Sequence, residues 1–251
     1  MPTVTRLQST RATNGIAKPQ LKDPREQKAR KLAYFGRTMV QVCVGEDDRQ
    51  EKFAVHDTPL RSHSKFFANA MNGSWKESDE RIIKLPDDSP ETFELYIHYI
   101  YTGKLAIVAG EGVVDDDRGT RQFVAQLKAL AYLYVFVEKI LDSACKNDVV
   151  DAMVACVRDN SKIPPLFVVE IIYNGTAGPC SARKFLVDVC ARWSNAKYFK
   201  DRRERFPVDF TFDVITKMLE YRKAGPHLPK SAPDFVNGAQ YYDTDGSKDA
   251  A

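Results

Sequence analysis

Residues 40–103 read VQVCVGEDDRQEKFAVHDTPLRSHSKFFANAMNGSWKESDERIIKLPDDSPETFELYIHYIYTG. Val40, Val42 and Val44 alternate with Gln41 and Cys43, the two-residue period of a half-buried strand, and Gly45 ends it. A polar run, EDDRQEK, makes a turn. Phe53 and Val55 then alternate with Lys52, Ala54 and His56, so a second strand pairs back on the first as a hairpin. Pro59 opens a helical piece with Leu60, Phe67 and Met71 on one stripe and Phe66 and Ala70 beside it. Ser64 can cap a fresh start, so two short helices fit better than one. Arg81 to Leu85 is a third, β-branched strand closed by Pro86. Ser89, Pro90 and Glu91 supply an N-cap, a proline at the first helical position and an acid in the first turn. Phe93, Tyr96, Ile97, Ile100 and Tyr101 give that helix a wide apolar face, with Leu95 and Tyr99 on another, and Gly103 suits a left-handed stop.

In this order the pieces V-x-V-x-V-G, F-x-V-H, L-x-x-x-S-x-F-F, W-K-E, I-x-L-P and F-x-x-Y-x-x-x-I-Y-T-G resemble the BTB/POZ domain. No piece is specific alone; the ordered series is. Its motif positions here are Val44, Gly45, Phe53, His56, Leu60, Ser64, Phe67, Leu85, Pro86, Phe93, Tyr101 and Gly103. The resemblance implies an α+β fold: a small mixed sheet of about three to five short strands flanked by helices, with His56 tying strand to helix.

Beyond Gly103, Leu105 to Val108 is strand-like, and AGEGVVDDDRGT is a polar loop. Phe123, Leu127, Leu130, Tyr134 and Val137 mark an amphipathic helix; Val149, Val150, Met153, Val154 and Val157 mark the next. These resemble the closing helices of the same domain, which would then run over 37–158. Residues 159–224 form a helical extension. It has a helix from Pro165, a Gly-containing break, and a helix capped by Ser181 with Leu186, Val189, Cys190 and Trp193 buried. A last helix over about 210–222 carries Phe210, Val214 and Met218 on one face. The phrases IYNGT and RKFLVD resemble the extension of many fungal BTB proteins. Residues 225–251 are rich in Pro, Gly and Asp without period and read as disordered.

The chain has 251 residues, 43% of them hydrophobic, enough for a real core. No apolar run reaches the roughly 20 residues of a membrane span, and the N-terminus has no apolar signal region. The five cysteines are scattered, without C-x-x-C, which points to reduced thiols and a cytoplasmic or nuclear setting. The net charge is +3. Residues 1–33 hold eight Lys/Arg and two Asp/Glu, so a basic, aperiodic tail precedes a mildly acidic remainder. Arg25, Lys28, Arg30 and Lys31 could serve nuclear import or touch nucleic acid, but no aromatics interleave to stack bases, and a solvated tail is the plainer reading.

Nothing here supports an enzyme, a metal or a cofactor. His56 and His63 have no acidic or thiol partner at ligand spacing. Ser64 beside His63 is better read as a cap than as a nucleophile. Asp115, Asp116 and Asp117 lack calcium-loop spacing. Cys145, Cys156, Cys180 and Cys190 read as packed thiols, and Gly175 and Gly178 match no phosphate loop. Trp75 could anchor a partner or cover the core.

The resemblance implies a protein–protein interaction module that can homodimerise, and an adaptor for a cullin-type ubiquitin ligase. The family's cullin-facing surface maps to Tyr101, the loop holding Val113, Val114 and Asp115, and the helix near Phe123. The runner-up is a nuclear regulator that assembles through the domain and uses its basic tail. Two features depart from the dimeric pattern: the text before Val40 is mostly charged, and Met39 stands where many dimeric members have an Asp.

Overall fold

The computed structural model describes residues 35–72, 80–107, 117–202, 204–223 and 238–242. Strands β1 (Met39–Val44) and β2 (Glu51–His56) pair antiparallel, with Val42 opposite Phe53. Strand β3 (Ile82–Leu85) pairs with β1 in parallel, with Val42 opposite Ile83. The sheet order β2-β1-β3 makes β1 the centre. Val40, Val42 and Val44 line the covered face, and on the other face cover grows along the strand, from exposed Met39 through half-buried Gln41 to buried Cys43.

Helices α1 (Asp57–His63) and α2 (Lys65–Asn72) follow. The break at Ser64 is chemical. Its hydroxyl accepts from the Phe67 N–H at 3.2 Å and donates to the Ile140 carbonyl at 2.6 Å. One small side chain thus starts α2 and fastens it to a turn 76 residues away. Helix α1 begins two residues before Pro59, which sits in its first turn where no N–H is needed. Strand β3 begins one residue after the expected Arg81, which has a left-handed φ of 53° while its carbonyl still accepts from the Gln41 N–H of β1 at 2.9 Å.

Helix α3 (Pro90–Thr102) has the expected ends. The Ser89 hydroxyl accepts from the Thr92 N–H at 3.1 Å, and Gly103 closes the helix at φ 66°. Its Phe93 and Tyr96 are fully buried against Phe67 and Phe136, with ring centroids 5.4–6.5 Å apart. Helix α4 (Asp117–Lys139) buries Phe123, Leu127, Leu130, Tyr134 and Val137, and α5 (Ser143–Asn160) buries its predicted stripe. Residues 105–107 are irregular rather than a strand, with Leu105 and Ile107 packed half-buried on the core.

Four further helices are described: α6 (Leu166–Gly175), α7 (Ser181–Trp193), α8 (Ala196–Lys200) and α9 (Val208–Lys223). Helices α4 and α6 cross so closely that a Cβ on Gly175 would lie 2.5 Å from Val135 Cγ2. Three expectations fail here. Ser181 is no cap: Cys180 holds that position, and the Ser181 hydroxyl is buried without a partner. Trp193 is half-buried at the end of its stripe. Met218 is 39% exposed, because residues four apart drift about 40° around a helix and the third member leaves the core face. Of residues 225–251, expected to be disordered, 238–242 are described and the rest lie outside the described residues. A single 3-10 turn, Ala239–Tyr241, docks there with Tyr241 buried.

Candidate functional site

Helix α3 ends beside β2, and the junction is built from three rings. The His56 backbone N–H donates to Tyr101 Oη at 3.0 Å, and the same oxygen lies 2.7 Å from His56 Nδ1. The Tyr101 hydroxyl thus bridges the backbone and the side chain of His56, its role toward Nδ1 set by the imidazole tautomer. Phe35 packs on both rings, at 5.3 Å from Tyr101 and 5.9 Å from His56. His56 is therefore a strand-to-helix tie, as its position suggests.

The chain then leaves α3 in a fixed direction. Thr102 Oγ1 donates to the His98 carbonyl at 2.7 Å and accepts from the Lys104 N–H at 3.1 Å. Thr102, Gly103 and Lys104 are exposed. Of the residues expected at the docking surface, Tyr101 stands at this edge. Val113, Val114 and Asp115 lie outside the described residues, as does Trp75. Phe123 belongs elsewhere: only 2% of it is exposed, so its ring is core and offers nothing to a partner. Its place in a helical stripe already carried that information.

The suspected His63–Ser64 pair is taken apart by its partners. Ser64 is committed to Phe67 and Ile140, while His63 Nδ1 lies 3.4 Å from Asp142 Oδ2 and its ring packs on Tyr99. Asp142 went unnoticed in the sequence. It is 1% exposed, caps α5 by accepting from the Cys145 N–H at 2.9 Å, and accepts from Tyr96 Oη at 3.2 Å. Burial first, then the Asp142 charge, pushes the Tyr96 hydroxyl far up. An acid just ahead of SACKNDVV was a legible N-cap signal. A second hidden carboxylate, Asp188 on α7, accepts from Tyr241 Oη at 2.8 Å and from Tyr221 Oη, and lies 3.5 Å from Arg192. An acid inside FLVDVC, among apolar residues, was its only trace.

All five thiols are free; Cys43, Cys145, Cys180 and Cys190 are covered by the fold, and Cys156 is half-buried. Burial pushes Cys156 and Cys190 up to about 12, so both stay protonated near neutral pH. Among the described residues no group of three or more His, Cys, Asp or Glu is placed to hold a metal, and no helix is long and apolar enough to cross a membrane. Ser64, Tyr96, Asp142 and Asp188 are engaged in tying elements together, while the buried Tyr134 and Ser181 hydroxyls have no hydrogen-bond partner among the described residues.

Comparison with known proteins places this scaffold. The family model described as BTB/POZ domain matches residues 38–118, a span that takes in the three described strands and α1 to α3 and reaches the start of α4. This chain carries a BTB/POZ domain. Over 156 residues it is 25% identical to the BTB and MATH domain-containing protein 40 of Caenorhabditis elegans, covering 60% of this chain and 38% of that protein. Over 81 residues it is 31% identical to the Kelch repeat and BTB domain-containing protein 4 of Mus musculus, covering 32% of this chain and 15% of that protein. The chain thus matches less than two fifths of either relative, and the match to the mouse protein is of a size with the BTB domain alone. The BTB domain is a protein–protein interaction module, and its α+β fold, with a mixed three-stranded sheet and a helical extension, is the one described above.

Proposed function

We propose that this chain is a non-enzymatic adaptor whose BTB domain docks a cullin-type ubiquitin-ligase scaffold through the end of α3 and the loop that follows. The observation that carries the reading is the anchoring of α3. The His56–Tyr101 tie and the Thr102 cap hold the helix end rigid while Thr102, Gly103 and Lys104 stay in solvent. A fixed, exposed helix end with an apolar and acidic loop beyond it (Val113-Val114-Asp115) suits a partner groove that takes one apolar side chain and a nearby carboxylate. Supporting it, Ser64, His63 and Asp142, the groups nearest to a catalytic pattern, are committed to contacts between elements.

The test is co-elution of the full chain with a purified cullin N-terminal domain on gel filtration. A complex is expected, and Val113→Asp/Val114→Asp should weaken it at least tenfold with the melting temperature unchanged. No complex at tens of micromolar would overturn the reading. The charge of residues 1–33 supports a second one, a nuclear regulator with a nucleic-acid-touching tail. Its signature would be DNA binding that falls steeply with salt and disappears when residues 1–33 are removed.

A further inference from the structure

Helix α9 has two apolar faces, and only one of them is covered. Phe210 and Val214 are buried against the neighbouring helices, with Phe210 edge-on to Tyr173 at 5.4 Å, and Tyr221 reaches Asp188. On the opposite side Val208, Phe212, Ile215 and Leu219 are 68%, 65%, 49% and 49% exposed, with Met218 beside them at 39%. Their spacing, four then three then four, is the seam of a two-stranded coiled coil rather than a scatter of surface residues. Elsewhere among the described residues the large exposed apolar side chains stand singly on separate elements: Phe35, Met39, Tyr132 and Leu141. A groove of about 610 Å³ runs along the same helix between α7 and α9, with Phe212 on its lip and Val187, Arg183 and Thr216 in its walls.

We infer that this seam is covered by the α9 of a second copy of the chain, packed antiparallel about a two-fold axis near residues 213 and 214. Three observations select that occupant. First, the seam matches itself. Its pattern reads the same from either end, large and small side chains meeting across the axis, as an isologous interface requires. Second, the size fits. At ~200 Å² for a fully exposed large apolar side chain, the exposed fractions amount to ~500 Å² per copy and ~1,000 Å² for a pair, the area at which specific interfaces begin. Third, charge sets the direction. The first half of α9 carries Asp209 and Asp213, the latter accepting from Tyr173 Oη at 2.7 Å, and the second half carries Lys217 paired with Glu220, then Arg222 and Lys223, so the two ends differ in sign. Antiparallel packing brings each acidic end to the basic end of its partner and opposes the helix dipoles; parallel packing sets Arg222 against the partner's Arg222. This surface lies on the helical extension and owes nothing to the docking proposed for α3. Its consequence would be two BTB domains carried by one assembly.

Sedimentation velocity of the full chain from 1 to 200 µM tests it, comparing wild type with Phe212→Asp/Leu219→Asp. The wild type should self-associate, and the variant should have half its mass, with the same circular dichroism, since both side chains face solvent in one copy. A wild type that stays monomeric overturns the inference, whether its own tail or another protein covers the seam. An equal mass for both forms overturns it too, because any association then uses another face. Should the double variant unfold, a spin label on Arg222→Cys in a Cys156→Ser background decides. Two labels ~25 Å apart support the antiparallel pair, at 1.5 Å rise per residue. Labels ~10 Å apart mark a parallel pair, and no short distance marks no pair; either overturns the inference.

Discussion

Two buried aspartates hold two regions of this molecule, and they do it differently. Asp142 sits between α4 and α5, beyond the residues the family model matches, 1% exposed, where it gathers Tyr96, the Cys145 N–H and, at longer range, His63. Its charge is met by a helix N-terminus and a phenol. Asp188 sits in the extension, 6% exposed, and gathers Tyr221, Tyr241 and Arg192. Its charge is met by a guanidinium that itself lies over the Tyr221 ring at 4.9 Å. The first is part of the start of a core helix, so its loss weakens the core itself. The second clasps two late segments, α9 and the turn at 239–241, onto a surface that exists already. A buried carboxylate can therefore be a condition of the fold or a latch on its rim, and its partners tell which.

The largest expected effect follows from the first role. Asp142→Ala removes a helix cap and leaves the Tyr96 hydroxyl buried and unpaired, which should cost about 3 kcal/mol. Chemical denaturation should show this as a lower midpoint with an unchanged slope. Next comes Gly175→Ala. The added methyl would press on the stiff, branched Val135 side chain and should cost about 1–3 kcal/mol by overpacking between α4 and α6. Ser64→Ala should cost about 1–2 kcal/mol, because one hydroxyl serves both the α2 start and the Ile140 carbonyl.

Asp188→Ala sharpens the contrast. It should lower global stability less than Asp142→Ala does, yet release α9 and residues 238–242 first. Hydrogen exchange should rise in those segments while β1 to α5 keep their protection. A uniform rise across the chain would erase the distinction between condition and latch. The smallest effect is one of pH. Burial, then the bond to Asp188, pushes Tyr221 up to about 12, and burial with the Asp151 bond does the same for Tyr242. A phenol raised in the folded state contributes stability that is complete below its ordinary value near 10 and is lost as pH climbs through the folded value. The melting temperature should therefore fall between pH 10 and about 12, and less so in Asp188→Ala, where Tyr221 has lost one cause of its shift.

How much of this was legible without coordinates depends on whether a side chain's partner is near in sequence. Ser64, Ser89, Gly103 and the stripes of α4 and α5 act over three or four residues, and periodicity with cap chemistry predicts them. The parallel pairing of β1 with β3, and the ties from His56 to Tyr101 and from Asp142 to Tyr96, join residues about 40 apart or more, where spacing says nothing. The ordered motif series supplied the fold in advance of those pairings. Phe123 shows the opposite failure. A family surface carried onto a residue that its own helical period marks as core will be wrong about that residue. Met218 fails for a geometric reason, the slow rotation of a four-residue repeat around α9. Ser181 fails because a hydroxyl beside a helix start is not always the residue that precedes it.

The central claim is that this chain works by docking at a fixed helix end. Hydrogen exchange of the full chain with and without a purified cullin N-terminal domain addresses it most directly. The account predicts new protection gathered at residues 101–120, with β1 and β2 unchanged. Protection absent everywhere, or confined to the extension, would contradict it.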